Sequence, residues 1–342
     1  MKQSALKLLV WGLPALATAG QSYMPIVGYT DKTGLMFGAA AFNYQDGRPG
    51  FELGCYGVTN ALNFNSITLE GQKRAAAGLD IAGKLVLSKT FDNYYGEGDQ
   101  TKADSGLRLS ENTATAELSL LTPALAGWSL GPVLGLKTRQ ETGLENIQDG
   151  AALPGRAFAD SASPALGLRA LLDRRDSCLS SSCGRLLQID LRAIPQALAF
   201  EAGAQDAWQA QAEWREFKSL GAHCVLAQRL EGGVSFGEPG YAERYALGGT
   251  ELMRGFQDNR FRGKQFYCLQ EELRFPIWRE IGMALSGDLG DAGDGKLEHP
   301  RASAQAGLRI GLPPSYGMKA RLDFGFSDGG DHSMALQFGQ TF

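Results

Sequence analysis

The chain has 342 residues, with 33 Lys and Arg against 37 Asp and Glu, and its net charge of −4 leaves no basic surplus of the kind nucleic acid requires. Charged residues make up 20% of it, and no apolar run approaches the roughly 18 residues a spanning helix needs. Its 45 glycines suit tight turns and argue against long helices.

At the start, Lys2 and Lys7 precede an apolar core at 8–16, and Ala17-Thr18-Ala19 supplies the small residues of a cleavage site. This pattern predicts a secretory signal peptide over 1–19, because the core is too short to serve as a transmembrane anchor. Strand-like runs follow at 22–30, 34–45, 50–60, 63–74, 79–90, 112–121, 128–140 and 164–173. More follow at 185–194, 206–217, 223–236, 264–275, 281–288 and 302–312. The last two runs, 318–327 and 333–342, bring the number to about sixteen, and even numbers are the rule in bacterial single-chain barrels.

Those last runs show the alternation most clearly. Met318, Ala320, Leu322, Phe324 and Phe326 share one face, against Lys319, Arg321, Asp323, Gly325 and Ser327. Met334, Leu336, Phe338 and Phe342 likewise oppose Ser333, Ala335, Gln337, Gly339 and Thr341. A greasy face and a charged face recurring along the whole chain predict an all-β fold. The architecture is a transmembrane antiparallel β-barrel over 20–342, with lipid outside and a polar lumen inside. Export followed by a barrel places the protein in the bacterial outer membrane.

The connections sort by length. Gln45-Asp46-Gly47, Pro123-Ala124-Leu125, Pro276-Ile277-Trp278 and Pro313-Pro314-Ser315 fit periplasmic turns. The longer connections near 91–110, 141–163, 195–205, 237–262 and 288–301 fit extracellular loops. The turn at 174–184 is long for the periplasmic side and contains Cys178 and Cys183 around Leu-Ser-Ser-Ser. In an oxidising compartment this spacing predicts a disulfide that clamps the turn. No second Cys or His pair lies nearby to complete a metal site. Cys55, Cys224 and Cys268 sit singly in strand-like runs as small apolar fillers.

The loop near 237–262 contains Leu247-Gly248-Gly249 and then Leu252-Met253-Arg254-Gly255-Phe256. Strand phase puts Cys268, Gln270, Glu272 and Arg274 on one face, with Leu273 and Phe275 opposite. On the next strand Ala284, Ser286 and Asp288 oppose Ile281, Met283 and Leu285. Glu272 and Asp288 therefore face the lumen, where a loop Arg folding inward could pair with both. Arginine suits this task because its planar fork can bond two carboxylates.

In these residues the sequence resembles the BamA/TamA-like superfamily of outer-membrane insertases and translocases. In that family a sixth extracellular loop tucks into the barrel, and its Arg-Gly-aromatic tip docks on acids of the next two strands. The matching positions are Arg254, Gly255 and Phe256 in the loop, Glu272 in Glu-Leu-Arg-Phe-Pro, and Asp288 in Asp-Leu-Gly. Phe91-Asp92-Asn93-Tyr94-Tyr95-Gly96-Glu97-Gly98 also looks like the third-loop sequence of short members. The Gly-x-Gly in it opens no helical pattern, which argues against a dinucleotide site.

The chain departs from the family in two places. The first strand begins a few residues past the expected cleavage site, leaving no room for polypeptide-transport-associated (POTRA) domains, and Ser286 stands where the family tends to have Phe. The resemblance implies insertion or passage of polypeptide or lipid through the outer membrane, with a weak seam between first and last strands. It implies outer-membrane lipid and lipopolysaccharide as surroundings and the barrel-assembly machinery as a partner in biogenesis. Phe342 resembles the terminal aromatic read by that machinery, and its phase places it at the membrane interface. The alternative is a passive pore constricted by the loop. No cofactor is implied. Catalysis is not expected, because His223, His299 and His332 are the only histidines and none sits in a cluster with acids or Ser.

Overall fold

The computed structural model describes residues 16–18, 21–44, 51–74, 78–98, 101, 106–177, 180–200, 205–221, 223–312, 319–340 and 342. The strands among them begin with β1 (Leu16–Thr18), β2 (Gln21–Thr30), β3 (Gly34–Tyr44), β4 (Phe51–Thr59), β5 (Asn65–Arg74), β6 (Asp80–Tyr94) and β7 (Leu107–Pro123). Next come β8 (Ser129–Asn146), β9 (Ser161–Asp173), β10 (Gly184–Ile194), β11 (Ala207–Leu220), β12 (Cys224–Gly237), β13 (Tyr245–Leu247) and β14 (Phe261–Gly263). The last are β15 (Gln265–Trp278), β16 (Ile281–Gly293), β17 (Arg301–Gly311), β18 (Lys319–Ser327) and β19 (His332–Phe338).

Strands β2 to β12 and β15 to β19 pair with their sequence neighbours, all antiparallel, and β19 returns to β2. The result is a closed barrel of sixteen strands. Lateral pairing between neighbouring strands satisfies most mid-strand peptide groups without water, as hydrocarbon requires. The side chains are arranged inside out relative to a soluble protein. Phe37, Leu53, Leu168, Leu191, Trp208 and Phe326 are exposed on the wall, while Arg139, Glu141, Arg309, Arg321 and Asp323 are buried in the lumen. Strand β18 shows this residue by residue: Arg321 and Asp323 point in, and Phe324 and Phe326 point out.

Some element boundaries differ from the sequence expectation. Strand β15 does not stop before Pro276 but runs to Trp278, with a register shift between those two residues, and the turn falls on Arg279 and Glu280. A proline lacks the N–H a ladder needs, and a bulge at the strand end accommodates it. Strands β6 and β8 reach Tyr94 and Asn146, past the expected 90 and 140, so residues assigned to loops join the wall. The turns at 45–47 and 313–315, Cys178 and most of the signal peptide lie outside the described residues. Strand β1 pairs with the free edge of β2, and the expected cleavage near Ala19 would remove it.

The ring is weakest where it closes. Strands β19 and β2 share only two register pairs, Ala335 opposite Thr30 and Leu336 opposite Tyr29, whereas β2 pairs with β3 along its whole length. Near this join, the Met334 amide donates to the Asp31 carboxylate at 2.6 Å. Beyond Phe338 the chain leaves the wall, and Gly339 has a φ of +91°. Such a backbone turn comes at no steric cost to glycine. Phe342 consequently does not sit at the membrane interface, contrary to its strand phase. It is buried inside the barrel against Phe217 and Ala227.

Candidate functional site

The segment between β12 and β15 folds back into the lumen. Its short β13–β14 hairpin pairs Tyr245 with Gly263 and Leu247 with Phe261. Leu247, Met253, Phe256 and Phe261 bury against Phe266 and Cys268 of β15 and Ala292 of β16. The Phe256 and Phe261 rings meet edge to face at 5.3 Å. A loop with its own apolar core has a fixed position rather than a range of them.

Three glycines make that position reachable. Gly248 and Gly249 have φ of +112° and +111°, and Cβ atoms there would stand 2.2 Å from the Gln257 carbonyl oxygen and 2.4 Å from Asp258. Gly255, at φ +105°, lies against β18, where a Cβ would sit 2.9 Å from the Phe326 nitrogen. Close approach to other chain segments, as much as positive φ, requires glycine at these sites.

Arg254 is 1% exposed and meets both acids. Its Nε and Nη2 donate to the two Asp288 carboxylate oxygens at 3.0 and 2.6 Å, and its backbone N–H adds a third bond at 2.8 Å. Its Nη1 donates to Glu272 at 3.0 Å. The paired geometry on Asp288 is the fork a lysine could not reproduce.

Around this contact the structure adds residues that sequence reasoning left out of the site. Glu272 also accepts from Arg274 Nε at 2.6 Å and from Arg309 at 3.3 Å, and Arg309 in turn pairs with Asp323. Gln270 donates to Asp288 at 3.0 Å. Phe342 closes the cluster beside Arg274. Its ring lies 5.4 Å from the Arg274 guanidinium and 6.0 Å from that of Arg254, and its carbonyl oxygen accepts from Arg274 at 2.9 Å. Strand phase already put Gln270, Arg274 and Asp323 on inward faces, but phase cannot show which inward charges meet. Ser286 donates to Gln305 at 2.9 Å instead of packing against the lock.

Towards the outside, Arg244 ties the loop to its neighbours, bonding Asp294 at 2.6 Å and Glu97 at 3.2 Å. Burial raises the Asp294 pKa, but the Arg244 hydrogen bond and the Lys264 N–H outweigh it and hold the carboxyl below its ordinary value. Burial pushes Glu97 the other way, and Arg244 offsets that only in part. A cavity of about 600 Å³ lies between the loop and the β19–β2 seam, lined by Lys32, Tyr95, Asp258, His332 and Gln337 among others. Among the described residues no group of His, Cys, Asp or Glu is placed to hold a metal ion. Cys183 is exposed and bridges no described residue, and Cys178, its expected partner, lies outside the described residues.

Known proteins resemble this chain in fold rather than in close sequence. BamA from Haemophilus ducreyi lacking POTRA domains 1–3 superposes with a TM-score of 0.62 at 14% identity, covering 96% of this chain and 74% of that one. CdiB from Escherichia coli gives 0.62 at 13% identity over 95% of this chain, and CdiB from Acinetobacter baumannii gives 0.60 at 11% over 93%. The chain spans 63% and 59% of those two CdiB chains. No curated protein matches it. The description "Omp85 superfamily domain" matches residues 56–342, so this outer-membrane barrel belongs to the Omp85 superfamily.

Proposed function

We propose that the barrel acts at its seam, admitting polypeptide or lipid into or across the outer membrane between β19 and β2. The observation that carries this reading is the two-pair closure of the ring at Ala335–Thr30 and Leu336–Tyr29. Every other junction of the barrel is a long ladder, so the join is where the wall opens at least cost. The loop supports the same reading. Held by Arg254 and packed on β15 and β16, it fills part of the lumen and obstructs a straight path through it.

The competing reading is a solute pore with the loop as its constriction. The charged lumen favours it, as does the cavity beside the seam. The two readings differ in where a passenger touches the wall. A photo-crosslinking residue at Tyr29, on the seam, should capture polypeptide or lipid-linked passengers, and one at Leu87, on the lipid-facing wall of β6, should not. Equal capture at both positions would contradict a seam function. Large conductance in planar bilayers with the loop in place would favour the pore.

A further inference from the structure

Both limbs of the loop are fastened to the opposite wall. Asp92 of β6 accepts hydrogen bonds from three loop side chains: the Tyr241 hydroxyl at 2.5 Å, the Arg262 guanidinium at 2.7 Å and the Asn259 amide. Main chain reinforces this, because the Gly98 N–H donates to the Arg262 carbonyl at 2.7 Å. The Tyr241 ring stacks on Phe158 at 4.0 Å, with the Arg139 and Arg262 guanidinium groups 4.8 and 4.4 Å from its centre. Counted round the ring from β2, β6 is the fifth strand and β16, which carries Asp288, is the thirteenth. Eight places apart in a ring of sixteen, the two carboxylates stand on opposite sides of the barrel.

We infer that Asp92 is a second positioning residue, so that the loop spans the lumen as a tie between two opposite walls. Arg254 brings a cation to the pair of acids on β15 and β16, and the loop brings Arg262 to the single acid on β6. A segment attached at two points rebinds at one while the other holds it close, so release of either attachment alone leaves it in place. Only joint release frees the loop to move as a unit. This inference concerns the loop alone and does not depend on what passes through the seam.

The test compares the full-length protein with Asp92→Asn, Arg254→Ala and the combination, reading conductance in planar bilayers and external protease cleavage of 238–264. Heat-modifiable migration establishes that each variant has assembled. Asp92→Asn removes the charge and keeps the shape, and in the Arg254→Ala background Asp92→Glu in its place should reverse the added opening. Each single variant should stay near wild type, and the double should exceed the product of the singles by about tenfold, the factor that corresponds to roughly 1.4 kcal/mol of coupling. If the double variant fails to assemble, Arg262→Gln replaces Asp92→Asn in the same comparison. A double variant no more open than Arg254→Ala, or full opening by Asp92→Asn alone, would overturn the inference.

Discussion

Arg254 and Asp288 meet through three hydrogen bonds, two from the guanidinium and one from the Arg254 backbone N–H. The contact therefore fixes the main chain of the loop tip as well as its side chain. Buried ion pairs contribute little net stability, because desolvation offsets their attraction, but removing one partner strands the other. The pair is better understood as setting where the loop sits than as holding the barrel together.

Replacing Arg254 by Ala should affect the two acids unequally. Glu272 retains Arg274 and Arg309, two cations, whereas Asp288 retains the neutral Gln270 amide. The stranded Asp288 should cost about 3–5 kcal/mol locally. Arg254→Ala should assemble normally by heat-modifiability, with a loosened tip seen as faster hydrogen exchange at 252–256. Arg254→Lys should recover only part of the protection, since the fork is lost. Unchanged exchange in both variants would show that the pair does not position the tip.

Phe342 should matter through its place under the lock. Phe342→Ala removes the ring from Phe217 and from the Arg254 and Arg274 guanidinium groups. Deleting the residue also removes the carbonyl that Arg274 bonds. Outer-membrane levels should fall in the order wild type, Phe342→Ala, deletion. Equal levels in all three would rule out a role in assembly.

A disulfide between Cys178 and Cys183 remains an expectation from their spacing and compartment. Thiol labelling of the oxidised, denatured protein should find three free cysteines of the five. Finding all five free would dispose of the bridge.

Acid should loosen the tie between Arg244 and Asp294. The Asp294 carboxyl titrates lower in the fold than in the unfolded chain, so the stability it lends is present above the ordinary carboxylate value of about 3.9 and is lost as pH falls through the lower folded value. Glu97 has the opposite sign: its raised pKa favours the fold at low pH, and that contribution fades as pH rises through the folded value. The Lys264 amide, which donates to Asp294 at 2.8 Å, reports the first effect. Its protection from hydrogen exchange, corrected for intrinsic rate, should drop below about pH 4 in the wild type and show no such step in Asp294→Asn.

Much of this fold is written in the period-two pattern. Strand phase placed Arg321 and Asp323 inside and Phe324 and Phe326 outside, and the number of runs matched the number of barrel strands. Glu272 and Asp288 were legible for the same reason, since phase on two adjacent strands aims both into the lumen. Phe342 was not, because phase holds only while the strand continues and Gly339 ends it. Asp92 was missed as a partner of the loop because the wall of β6 extends to Tyr94, past the last clearly alternating residues. Contacts such as Arg309 with Glu272 depend on how neighbouring strands are staggered, which no single strand's pattern contains.

The seam claim is tested most directly by closing the seam covalently. Tyr29 and Leu336 stand opposite each other at the join, so Tyr29→Cys with Leu336→Cys places two thiols across it. Liposomes carrying the purified protein would be assayed for the rate at which they take up a small urea-denatured outer-membrane barrel, before and after oxidation. The predicted result is loss of the acceleration on oxidation and its return with reductant, with each single-cysteine variant unaffected. Full acceleration with the seam crosslinked would contradict passage between β19 and β2.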